Sequence, residues 1–124
     1  DFLGNREDLP DIYAAADLMI HPSHREAGPY VVVEAMAYGI PSVTWDIPGP
    51  NVIIQHDVNG LLIPFGDLDG ITGAVRKCLE DETLYSRLSK GSLLRYSDYS
   101  LETYADNMID VYDRLIAGIG TRPQ

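Results

Sequence analysis

The sequence predicts a doubly wound α/β domain: a parallel sheet with helices on both faces, followed by a helical C-terminal segment. Three observations point there. Short apolar runs at Leu18-Met19-Ile20, Ser42-Val43-Thr44-Trp45 and Gly60-Leu61-Leu62-Ile63 have the length and boundaries of buried strands. Segments with helical character fall between them, which is the alternation that parallel strands require of their connections. From Leu101 on, Tyr104, Ala105, Met108, Ile109, Tyr112, Leu115 and Ile116 keep helical spacing, with Glu102, Asp106, Asp110, Asp113 and Arg114 on the opposite face.

In chain order, Phe2-Leu3 reads as the stub of a strand. Asp8 caps a helix with Pro10 near its start and Leu9, Ile12, Tyr13 and Ala16 on one face. The run Leu18–Ile20, bounded by Asp17 and Pro22, is the first complete strand. Pro29 suits the first turn of a helix, where its missing N–H costs nothing, and Tyr30 to Tyr38 form that helix, ended by Gly39 and Pro41. Ser42–Trp45 is the next strand, Asn51 to Gln55 a short helix after the Pro48-Gly49-Pro50 loop, and Gly60–Ile63 a further strand. Asp67 or Asp69 then caps a helix with Leu68, Ile71, Val75, Cys78 and Leu79 on one stripe. Thr83 opens another helix, with Leu84 and Leu88 facing inward. The tyrosines of the last helix are read as packing and its acidic face as solvated; Gly118 to Gln124 reads as a loose tail after a domain at 1–117.

The chemistry concentrates in Glu26-Ala-Gly-Pro-Tyr-Val-Val-Val-Glu34, where seven residues separate two carboxylates. Glu26 falls in a tight loop and Glu34 about one turn inside the helix that follows. The loop exposes backbone N–H groups at a helix N-terminus, a natural cradle for phosphate. Carboxylates able to grip sugar hydroxyls beside such a cradle suggest a nucleotide-sugar site.

This segment resembles the E-x7-E region of retaining glycosyltransferases with two Rossmann-like domains (the GT-B fold, family 4-like). His21-Pro22-Ser23, Glu26-Ala27-Gly28-Pro29 and Glu34-Ala35-Met36-Ala37-Tyr38-Gly39-Ile40-Pro41 follow the family pattern in order. Asp57-Val58-Asn59-Gly60-Leu61-Leu62-Ile63-Pro64 is similar to the segment after the family's site, and Phe2-Leu3-Gly4 with Ile12-Tyr13-Ala14-Ala15-Ala16-Asp17 also fits. The likeness covers roughly residues 1 to 115. It implies that Glu26 contacts the transferred sugar near the reacting carbon, catalytic in the sense of positioning and charge. It implies that Ala27, Gly28, Pro29, Tyr30 and Val31 hold donor sugar and phosphate, and that Glu34 takes the two ribose hydroxyls of the nucleotide. Because the helix Tyr30–Tyr38 reads as largely buried, a carboxylate at Glu34 needs such a partner. The commonest family form has an aromatic residue where this chain has Gly28, and Pro29 donates no hydrogen bond. Anchoring thus falls to the amides of Gly28, Tyr30 and Val31, and the departure bears on sugar specificity more than on the reaction.

The resemblance further implies a uridine diphosphate hexose as donor and a polysaccharide, lipopolysaccharide or other glycolipid as acceptor, held mainly by an N-terminal domain preceding residue 1. His21-Pro22-Ser23 with Glu26-Ala27-Gly28 is similar to lipopolysaccharide-core glucosyltransferases. It implies neither cofactor nor metal, and a cytoplasmic enzyme that reaches the inner membrane face through the absent domain. The family's basic pair for the diphosphate would also precede residue 1, so the chain reads as the later part of a longer enzyme, inactive on its own. Rival readings are a nucleotide-binding module without chemistry, or a transferase acting on glycogen, sucrose or lipid.

Composition narrows the field. A chain of 124 residues, 45% hydrophobic, is long enough for one domain with a core. No apolar run approaches the ~20 residues that span a bilayer. The net charge of −10 argues against nucleic acid and against this piece as the part that docks on anionic lipid. Cys78, the single cysteine, reads as a buried thiol in a reducing compartment. His21, His24 and His56 with Asp46 and Asp57 match no defensible metal-ligand spacing. His21 is either a wall of the donor cleft or a core histidine; Trp45 and Asp46 end a strand, where clefts in such sheets open. A dinucleotide-binding domain is excluded, since no G-x-G-x-x-G follows a strand.

Overall fold

The computed structural model describes residues 1–119, and helices alternate with three short strands through its first half. The order is α1 (Leu9–Ala14), β1 (Met19–His21), α2 (Tyr30–Ala37), β2 (Ser42–Trp45), α3 (Pro50–Ile53), β3 (Gly60–Ile63), α4 (Leu68–Glu80) and α5 (Glu82–Tyr96). A 3₁₀ turn at Ser97–Tyr99 then leads into α6 (Leu101–Ile119). The strands run parallel in the order β1-β2-β3, with Ile20 beside Val43 and Val43 beside Leu61.

Alternation along the strands sends side chains to two layers. Val43 and Leu61 point to the layer where Ala74 and Cys78 of α4 meet Leu84 and Leu88 of α5, with Ile63, Ile71 and Val75 packed alongside. Leu62 points the other way, to Val32 and Met36 of α2 and Ile53 and Ile54 after β2. Helices therefore cover both faces, as the pattern predicts. Cys78 is buried, and burial pushes its thiol pKa up.

Local chemistry accounts for most boundaries. Gly39 takes φ +69 after α2, and the Ile40 N–H reaches back to the Ala35 carbonyl at 3.0 Å, closing the helix in left-handed geometry. Asp67 caps α4 by accepting from the Gly70 N–H at 2.9 Å, which settles the choice against Asp69. Asp81 does the same for Leu84 at 2.9 Å, so α5 starts at Glu82 rather than Thr83. Pro50 takes the first turn of α3, which ends at Ile53 and leaves Ile54 extended.

Other expectations are corrected. Phe2 and Leu3 form no strand and are exposed; β1 pairs only with β2 among the described residues, so its outer edge is open and Ile20 is half exposed. Asp8 precedes α1 but does not cap it, because its carboxylate is drawn to the Arg6 guanidinium at 2.5 and 2.7 Å. The buried stripe of α4 centres on Ile71, Ala74, Val75 and Cys78, while Leu68 and Leu79 at its two ends turn to solvent. The largest departure is α6. Its stripe of Leu101, Tyr104, Ile109, Tyr112, Leu115 and Ile116 is exposed, so the tyrosines are not buried in packing. The helix also runs through Gly118 to Ile119, past the predicted start of the tail, and 120–124 lie outside the described residues.

Gly91 gives a test of how α5 is seated. A Cβ there would overlap the Val58 carbonyl oxygen, both being backbone-anchored. Alanine normally gains about 1 kcal/mol over glycine inside a helix. Here overpacking should reverse the sign, and denaturant unfolding of Gly91→Ala should show a net loss of about 1–3 kcal/mol.

Candidate functional site at the start of helix α2

Parallel strands place the C-terminal ends of β1 and β2 on one edge of the sheet, and the loops leaving them build the site. Thr44 in β2 donates to the His21 carbonyl at 2.8 Å, fixing the last residue of β1. The chain then turns through residues 22–29 and enters α2. Pro29 stands at the N-cap position, φ −74 and ψ 94, rather than within the first turn. It offers no side-chain cap, and Tyr30 and Val31 are both exposed. The first amides of α2 accordingly have no side-chain cap and lie at the positive end of the helix. Ala27 and Gly28 are exposed as well, and space around a Gly28 Cβ is empty to 4 Å.

Glu26 is partly buried and held within its own loop. Its Oε1 accepts from the Ala27 N–H at 2.9 Å and more weakly from Gly28 at 3.4 Å. Its Oε2 lies 3.4 Å from His21 Nε2. That approach is too long for a good hydrogen bond, and Nε2 is otherwise buried without a partner. His21 is thus mostly enclosed, with its Nε2 turned toward Glu26. The loop backbone is pinned from behind by Gly49, where φ is +101 and a Cβ would lie 2.7 Å from the Glu26 carbonyl oxygen. Gly49 was not singled out from the sequence, although Pro48-Gly49-Pro50 signals an unusual turn.

Glu34 differs from expectation in its surroundings. Helix α2 buries Val32, Ala35 and Met36, but Glu34 lies on its open side with Tyr30 and Val31. The helix is half buried, and its carboxylate already has a protein partner: the Tyr13 hydroxyl donates to Oε2 at 2.7 Å. The Tyr13 ring stacks on Tyr38 with centroids 5.5 Å apart and planes at 23°. Burial first, then the hydrogen bond to Glu34 and that carboxylate's charge, push the Tyr13 pKa up to about 12. Helical spacing alone places Tyr13 on an apolar face; the signal for more is its hydroxyl, which needs a partner when partly buried. Tyr13, Glu34 and Tyr38 line a cavity of about 430 Å³ with Leu9, Pro10 and Tyr99.

The remaining candidates scatter. Trp45 is buried and meets Phe65 edge-on at 6.1 Å, and Phe65 meets His24 at 5.3 Å. Asp46 is exposed and accepts from Asn51 at 3.2 Å. His56 accepts the Leu62 N–H at 3.0 Å, a structural tie to β3. Among the described residues no three of His, Cys, Asp and Glu gather as a metal site, and no helix is long and apolar enough to cross a membrane. A larger groove of about 760 Å³ runs past Asp57, Arg87 and Lys90 and contains none of the predicted site residues.

Comparison with known proteins gives this arrangement its context. The family model described as glycosyl transferases group 1 matches residues 1–94. The D-inositol 3-phosphate glycosyltransferase of Salinispora tropica is 30% identical over 116 residues, 94% of this chain and 24% of that protein. An Escherichia coli UDP-Gal:alpha-D-GlcNAc-diphosphoundecaprenol alpha-1,3-galactosyltransferase is 33% identical over 82 residues, 66% of this chain and 21% of its own length. Among solved structures, Anabaena HepE in complex with UDP superimposes with a TM-score of 0.86 at 28% identity, covering 92% of this chain and 32% of that one. The chain thus spans about a quarter of the length of these two relatives.

The pinning of the loop is testable directly. Gly49→Ala meets two penalties, a positive φ and a backbone contact, and should cost about 1–3 kcal/mol. Amide resonances of Ala27 and Gly28 should move, while those of α4 stay in place.

Proposed function

The chain belongs to the group 1 glycosyltransferases, with the Rossmann-like fold of GT-B enzymes, and on that premise we propose that it forms the nucleotide-sugar-binding part of a retaining hexosyltransferase. The observation that carries the reading is the open, uncapped start of α2 flanked by two carboxylates, each already held by a protein donor. A diphosphate would sit on the amides of Gly28, Tyr30 and Val31. Glu34 would receive the ribose hydroxyls, and Glu26 the hydroxyls of the transferred sugar. Tyr30 and Val31 reach solvent, which leaves room for such a ligand.

The donor in this reading is a uridine diphosphate hexose. HepE, a relative at 28% identity, has been solved with UDP and with UDP-glucose, which supports that choice of nucleotide. The acceptor would be a cell-surface polysaccharide or a lipid-linked glycan held mainly by another domain, in a cytoplasmic enzyme reaching the membrane through that domain. The galactosyltransferase relative, named for a diphosphoundecaprenol acceptor, supports the lipid-linked class. No metal is invoked in this reading, in which the diphosphate would be held by the amides at the start of α2 together with basic residues of another part of the protein. Arg6 is not one of them in this state, being committed to Asp8.

Two substitutions in the complete protein test the assignment separately. Glu34→Ala should weaken UDP and the sugar donor alike. Two charge-assisted hydrogen bonds at roughly 1.5–3 kcal/mol each predict a loss of about tenfold to a few hundredfold, read by calorimetry. An unchanged UDP dissociation constant removes Glu34 from the ribose site.

Glu26→Gln should leave UDP affinity nearly intact and lower turnover by roughly 10²–10³, the scale of one preorganised polar contact made in the transition state. Wild-type turnover would reduce Glu26 to a loop residue.

A further inference from the structure

Glu34 lies on an exposed helix surface, and a free glutamate there would sample many rotamers. Gripping a vicinal diol with both oxygens requires one of them, and freezing it on binding lowers affinity. The structure removes that freedom beforehand. Tyr13 Oη donates to Oε2 at 2.7 Å, the length of a strong charge-assisted hydrogen bond. The donor is itself positioned, because its ring is stacked on Tyr38 at the end of α2. It also remains a donor, since its pKa is pushed up to about 12.

The geometry leaves acceptor capacity for a ligand. An ionised carboxylate has about four lone-pair sites, and the Tyr13 hydroxyl occupies one. Among the described residues Oε1 accepts no hydrogen bond, and Oε2 keeps a second lone pair. All three side chains, Tyr13, Glu34 and Tyr38, line the 430 Å³ cavity, so the held carboxylate borders space a nucleoside could enter. Helix α1 buries no residue of its own, so this hydrogen bond and stack are prominent among its ties to α2.

We propose that Tyr13 is a positioning residue: it fixes the Glu34 carboxylate for the ribose diol and thereby sets how strongly the protein prefers ribonucleotides over 2′-deoxyribonucleotides. The proposal rests on the reading of Glu34 as the ribose ligand, and its test separates the two.

The experiment measures dissociation constants of UDP and 2′-deoxy-UDP for the complete protein and its Tyr13→Phe, Glu34→Ala and doubly substituted forms. Phenylalanine keeps the stack on Tyr38 and removes only the hydroxyl, and circular dichroism with thermal melting checks the fold. Tyr13→Phe should weaken UDP by about 3- to 10-fold, the scale of one hydrogen bond. It should weaken 2′-deoxy-UDP less, so the ratio between the two nucleotides shrinks toward that of Glu34→Ala. Adding Tyr13→Phe to Glu34→Ala should cost nothing more, because the hydroxyl acts only through the carboxylate. Equal weakening of both nucleotides assigns Tyr13 a merely structural role and overturns the proposal. So does a neutral Tyr13→Phe beside a damaging Glu34→Ala. If Glu34→Ala itself leaves UDP binding unchanged, the ribose reading falls and the proposal falls with it.

Discussion

Three strands running in one direction bring the ends of β1 and β2 to a single edge, and there two loops must pass within backbone contact of each other. The loop after β2 passes so close behind the loop after β1 that only a glycine fits: a side chain at residue 49 would meet the Glu26 carbonyl at 2.7 Å. That approach fixes where Glu26 leaves the sheet and where α2 begins. The uncapped amides at Tyr30 and the position of Glu34 one turn on then follow from helical geometry. A displaced Gly49 would move all of them together.

The two carboxylates are held by different physics. Glu26 turns back on its own loop, where its charge satisfies the Ala27 amide beside a buried imidazole. Any group that takes up Glu26 Oε1 must compete with that local bond. Glu34 is held across the fold by a tyrosine from another helix, through Oε2 alone, and Oε1 accepts no hydrogen bond among the described residues. The first tie is local to one loop, the second joins two helices.

The elements legible in the sequence are those decided locally. β2 and β3 end where their turn residues say they should, and Asp67 caps the following helix through a bond three residues away. Helix α2 starts at Tyr30 as the pattern predicts and ends one residue early at Ala37, because Pro29 and Gly39 constrain backbone angles whatever surrounds them. What escaped depends on contacts distant in sequence. Tyr13 meets Glu34 across 21 residues, and Gly49 meets Glu26 across a chain reversal. The exposure of α6 escaped for the opposite reason: periodicity reports that a face is apolar, not that anything covers it.

Helix α2 serves both core and candidate site: it buries Val32 and Met36 against the sheet and turns Glu34 to the open side. The buried cluster of Val43, Leu61, Ala74, Cys78, Leu84 and Leu88 lies on the sheet face covered by α4 and α5. The site residues belong to the β1–α2 loop and to the outer side of α2, where Ala27, Gly28, Tyr30 and Glu34 bury little. Burial of apolar area dominates folding free energy, at about 25 cal/mol per Å², so these exposed positions add little to it. Polar changes at Glu26 or Glu34 should therefore alter ligand chemistry without unfolding the domain. Gly49 is the exception, because it belongs to the site by contact and to the fold by conformation.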